Sequence, residues 1–70
     1  MTKDEALELC SEILETVTEL PERAEQFAAS VEEKVTSMQG WIERTGRVTD
    51  AMVASLENMR DGCARWSHGS

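Results

Sequence analysis

The chain of 70 residues holds no tyrosine, one phenylalanine, two tryptophans, one proline and one histidine. With so few aromatic residues its apolar mass is mainly Leu, Val, Met and Ala, which suits narrow seams between helices better than a thick globular core. Long apolar runs are also missing: nothing approaches the roughly 18 consecutive apolar residues of a membrane span. No cationic segment leads into an apolar stretch of signal-peptide length. The expected setting is therefore soluble, cytoplasmic and reducing, without a membrane partner. Chains of this size bury too little surface to be comfortably stable unless something supplements the core. A protein partner or a homodimer is accordingly an expectation from the outset.

Cys10 and Cys63 lie far apart and form no C-x-x-C pair, so neither a disulfide framework nor a zinc site is signalled. Adding His68 gives three ligand types without a local metal pattern, and no metal is expected. Both cysteines fall at apolar positions, where a thiol behaves as a small hydrophobe. No Ser or Cys stands beside a recognisable base, and the sole histidine is in the tail. The acids are numerous but expected to be exposed, where their pKa values are not tuned for proton transfer. The expectation is a protein that is not an enzyme and needs no cofactor.

Basic residues are scarce where acids are dense. The net charge is −7, and residues 1–33 carry ten acids against two bases while residues 34–70 carry four against five. An acidic first half disfavours DNA, RNA and anionic membranes, whose charge is usually met by Lys and Arg. It favours a basic protein surface as partner, or simply solubility.

The pattern predicts an all-α fold: a three-helix up-down-up bundle, or a long αα-hairpin with an added N-terminal helix. One helical domain spans 1–66, with helices at about 3–19, 21–45 and 50–65 and a frayed tail at 67–70. Thr2-Lys3-Asp4-Glu5 reads as a capping box that opens the first helix. Leu7, Cys10, Ile13, Leu14, Val17 and Leu20 then recur at threes and fours, the spacing of one helix face. Pro21 stops this helix and is suited to begin the next. Ala24, Ala28, Val31, Val35, Met38, Ile42 and Thr45 continue in heptad-like steps, widened by Phe27 and Trp41. Gly40 interrupts them and marks either a kink or the close approach of another backbone.

Gly46 can take the left-handed conformation that ends helices. Thr49 caps the third helix, with Val48 and Val53 placed as a hydrophobic staple around it. Met52, Leu56, Met59, Cys63 and Trp66 step by four and three, so the second and third helices are expected to pack antiparallel along their seams.

The most informative surface feature is the row Glu5, Glu8, Glu12, Glu15 and Glu19, opposite Leu7, Cys10, Leu14 and Val17. Like charges at these spacings destabilise a helix by about 0.2–0.5 kcal/mol per pair, and no base lies within the row. The plain reading is a solvated face that keeps a small protein soluble. The sharper one is a surface that meets a basic partner or imitates a row of phosphates.

A competing reading makes the turn after Gly46 a helix-turn-helix, with Asp50, Ala51, Ala54, Ser55 and Asn58 facing bases. These are poor readers of DNA. The bases Arg44, Arg47, Arg60 and Arg65 are largely matched by acids at helical spacing, as in Glu43/Arg47, Glu57/Arg60 and Asp61/Arg65, so a clustered basic footprint is lacking. Met38, Met52, Met59, Trp41 and Trp66 are most simply core. Adaptable Met and Trp surfaces also meet partners, so Trp41 and Trp66 join the acidic row, Arg44 and Arg47 as candidate contact residues.

Gly40-Trp41-Ile42-Glu43-Arg44-Thr45-Gly46-Arg47-Val48-Thr49, followed by Leu56-Glu57-Asn58-Met59, is similar to helix-Gly-x-(Val/Leu)-(Thr/Ser)-helix units of small phage and mobile-element proteins. The similarity covers residues 40–59. It implies host-directed or nuclease-directed protein binding, including inhibition of a bacterial defence complex. Three functional classes follow: an interaction module, a nucleic-acid-associated regulator using the C-terminal arginines, and a structural homo-oligomer.

Overall fold

A computed structural model describes residues 1–67. It contains three α-helices, α1 (Lys3–Thr18), α2 (Glu25–Thr45) and α3 (Asp50–Ser67), with a single 3₁₀ turn at Glu22–Ala24. The described residues include no strand. The bundle measures 37 × 17 × 17 Å. A 21-residue helix such as α2 is about 31 Å long, so the helices must lie along the long axis.

Helix α1 opens with the expected capping box. The Glu5 amide donates to the Thr2 hydroxyl at 3.2 Å, and the Thr2 amide donates to the Glu5 carboxylate at 3.1 Å. Its end is a tightened turn, in which the Glu19 amide donates to the Thr16 carbonyl and the Leu20 amide to the Val17 carbonyl. Pro21 then differs from expectation. It has extended ψ, 158°, and caps the 3₁₀ turn through the Ala24 amide. Its lack of an N–H costs nothing there. The second helix therefore begins at Glu25 rather than at Pro21, after the turn has reversed the chain.

The α2–α3 connection follows the sequence closely. Gly46 has φ 70° and its amide donates to the Ile42 carbonyl at 2.7 Å, the left-handed helix stop that glycine takes without steric cost. The Thr49 hydroxyl accepts from the Met52 amide at 3.2 Å. Val48 packs against the core and Val53 is half-buried. At the far end α3 runs to Ser67, past the expected stop at 65, while His68 and the rest of the expected frayed tail lie outside the described residues.

The packing departs from a simple α2–α3 seam. Helix α1 contacts α2 most extensively and α3 next, whereas α2 and α3 touch each other least. Ala6, Leu9, Cys10, Ile13 and Val17 of α1 are buried with Val31, Val35 and Ile42 of α2 and Leu56 and Cys63 of α3. The core face of α1 is thus rotated toward Ala6 and Leu9, leaving Leu7, Leu14 and Leu20 partly buried at its margins. A three-helix bundle with α1 as its common element is the result, in place of a hairpin with an appendage.

Two glycines exchange roles. Gly40 lies inside a continuous α2, and a Cβ there would meet nothing within 4 Å. The close approach is at Gly62 of α3, where a Cβ would stand 2.6 Å from Phe27 Cζ. Because Phe27 is near the start of α2 and Gly62 near the end of α3, this contact also establishes that the two helices run antiparallel.

Candidate functional site

Each ridge residue, Glu5, Glu8, Glu12, Glu15 and Glu19, is exposed, and no charged side chain is buried among the described residues. Glu5, Glu8, Glu12 and Glu15 stand on the helix whose opposite side forms the centre of the core, and Glu19 is the residue that caps its end. The Thr2 amide and hydroxyl hold the Glu5 carboxyl below the usual carboxylate range. Part of its acceptor capacity is engaged in capping.

The sequence alone placed no base in the ridge, but the fold brings one alongside. Arg60 of α3 lines a cleft of about 260 Å³ together with Met1, Glu5, Glu8, Leu9 and Glu12. The N-terminal part of the ridge thus shares its cleft with a guanidinium that the sequence pattern matched to Glu57. Glu15 and Glu19 do not line that cleft. Three of the five ridge carboxylates, those of Glu5, Glu8 and Glu12, thus lie beside Arg60. Nothing in the α1 sequence signals this, because the relevant base is 48 positions beyond Glu12.

Arg44 and Arg47 occupy the opposite end of α2 and are exposed. Arg44 sits in the last turn of the helix, where a cation complements the carbonyl end of the dipole. Arg47 lies beyond the helix stop, its amide donating to the Thr45 hydroxyl at 3.2 Å. The expected i,i+4 relation of Glu43 to Arg47 does not apply, since Arg47 has left the helix on which that spacing depends. Arg65 lies near the other end of α3, so the four arginines form no single patch.

Trp41 is half-buried against the core. Trp66 is half-buried in a different setting: its ring lies 6.3 Å from that of Phe27, tilted at 39°, and the Arg23 guanidinium is 5.8 Å from its centroid. This is within the range of a cation–π contact. Phe27, Gly62, Trp66 and Arg23 together clasp the start of α2 to the end of α3, a grouping that helical periodicity does not reveal. Its available signal was Gly62, since a glycine inside a helical pattern often marks close packing. Met38, Met52 and Met59 are partly buried against the core.

Cys10 and Cys63 are free and buried, and burial raises both thiols above the ordinary range. They are held protonated, opposite to what a nucleophile requires. Among the described residues no three His, Cys, Asp or Glu side chains converge as a metal site, and no helix is long and apolar enough to cross a membrane. Comparison with known proteins finds no matching family model, curated protein or solved structure.

Proposed function

We propose that this chain is a non-enzymatic interaction module that presents the α1 carboxylates to a basic surface on a protein partner. The observation that carries the proposal is the pairing of faces on one helix: Glu8, Glu12 and Glu15 are exposed, with Glu19 exposed at the cap that follows, while Cys10 and Ile13 are fully buried. The core fixes the spacing of the charges. From Glu5 to Glu19 the ridge extends about 21 Å at 1.5 Å per residue, and a row of anions of that length suits surfaces that otherwise meet phosphates. A nucleic-acid-handling protein is the partner class favoured. The likeness of residues 40–59 to phage and mobile-element units adds a host-directed role, such as inhibition of a defence nuclease complex. Nucleic acid itself is a weaker partner because Arg44, Arg47, Arg60 and Arg65 are dispersed. A second copy is a further partner, through a different face.

The test is capture of partners from a bacterial lysate with the native chain and with the triple variant Glu8→Lys, Glu12→Lys, Glu15→Lys side by side. The captured protein is then titrated against both across a salt series. Loss of binding in the variant and weakening of native binding by salt are expected. Equal affinity and equal salt dependence for the two chains would refute the proposal.

A further inference from the structure

We infer that the groove between α2 and α3 seats a second copy of this chain, giving a two-fold dimer that meets across Met38 and Met59. The groove has a volume of about 520 Å³, with Lys34, Glu33 and the Met38 side chain on its α2 side and Ser55, Asn58 and Met59 on its α3 side. It lies where the packing between helices is thinnest. Both methionines are only partly buried, and their flexible thioethers adapt to an opposing surface.

Charge selects the occupant. A chain with net charge −7 repels its own copy through the α1 face, which is rich in carboxylates. The α2–α3 groove instead balances one acid, Glu33, against one base, Lys34, and its α3 side is uncharged. In a two-fold contact each patch meets itself, so a residue pair is formed twice. Lys34 of one copy can then oppose Glu33 of the other, and the reverse, without leaving a like-charge contact. The small Ser55 side chain and the neighbouring Ser30 and Ser37 allow the helices to approach closely. With only two partly buried methionines as apolar contacts, a weak dimer is expected, with a dissociation constant on the order of 10–100 µM. This inference does not rest on the acidic ridge, because α1 lies outside the contact.

Sedimentation equilibrium from about 5 µM to about 1 mM tests it with the full chain. The mass should rise from the 7.8 kDa of one chain toward twice that value. Lys34→Glu and Glu33→Lys should each weaken association about tenfold or more, and the double exchange should return it to within about threefold of native. Lys3→Glu changes the net charge by the same amount as Lys34→Glu but lies at the start of α1, and it should leave the dimer intact. All these positions are exposed, and circular dichroism verifies that each variant retains its helices. A monomer throughout the range would overturn the inference and leave the groove to another molecule. So would equal effects of Lys34→Glu and Lys3→Glu, or a double exchange that fails to restore association.

Discussion

Helices α1 and α3 are similar in length, 16 and 18 residues, yet α1 buries five residues and α3 only two, Leu56 and Cys63. The difference lies in their neighbours. Helix α1 has helices on two sides, so a broad face from Ala6 to Val17 is enclosed. Helix α3 is covered mainly by α1 and meets α2 through Phe27, which packs on Trp66 and Gly62. One helix is fixed by burial, the other by a few separate contacts. Amphipathic strength alone would not distinguish them.

The largest test of this contrast is Ile13→Ala. Ile13 is fully buried within α1, and truncating such a side chain should remove about 2–5 kcal/mol. Much of the stability of a small domain is of that order, so urea denaturation should find the variant largely unfolded or with a greatly reduced midpoint. A loss below 1 kcal/mol, in line with an exposed position on α3, would contradict the central place of α1.

Glycine substitutions probe the clasp that holds α3. Gly40→Ala adds a methyl group to open space and should stabilise α2 by about 0.5–1 kcal/mol. Gly62→Ala offers the same helical gain but forces the Phe27 ring to move from its 2.6 Å approach, so a net loss of about 1 kcal/mol is expected. Thermal melts should move in opposite directions. Adding Phe27→Leu to Gly62→Ala should recover part of the loss, and parallel shifts of the two single variants would remove the clasp from the account.

The caps offer a finer comparison. Thr2→Ala and Thr49→Ala each remove one hydroxyl acceptor at a helix start, with an expected cost of about 1 kcal/mol. Because α1 is anchored over more of its length, amide exchange in the Thr2 variant should increase over the first turn only. In the Thr49 variant it should spread along α3.

The smallest effect expected is that of pH on Glu5. Its pKa is depressed by the capping-box hydrogen bonds, so the unfolded chain takes up this proton first as pH falls. The stabilisation is complete above the ordinary Glu range and is lost as pH drops through the lowered folded value. Fraying at residues 3–5, followed by NMR shifts, should appear on that acidic limb, and Thr2→Ala should move the transition toward an ordinary carboxylate pKa.

The features legible in the sequence are those governed by local chemistry. Thr2 with Glu5, Gly46 and Thr49 each act on a backbone group within four residues, and each lies in its expected role. Helical periodicity likewise identified the buried Cys10, Ile13, Val17, Val31, Val35, Ile42, Leu56 and Cys63. It could not say which helix covers which, and so missed α1 as the shared element. The start of α2 shifted because Pro21 suits both a helix opening and the position before a 3₁₀ turn. Of the candidate site, the exposure of the carboxylates was legible from their spacing. The place of Arg60 beside three of them was not, since it depends on how α3 lies against α1.

The order of synthesis gives the two faces of α1 another meaning. Of the three helices α1 leaves the ribosome before the other two, but its buried face is complete only after Leu56 and Cys63 have followed. Until then Leu9, Cys10, Ile13 and Val17 are covered at most from the α2 side, the kind of transient partial exposure that draws nascent chains together. Charged residues flanking such a face are the type that natural sequences use as gatekeepers against aggregation. Neutralising the α1 carboxylates would reduce the yield of folded protein even where the finished bundle is equally stable.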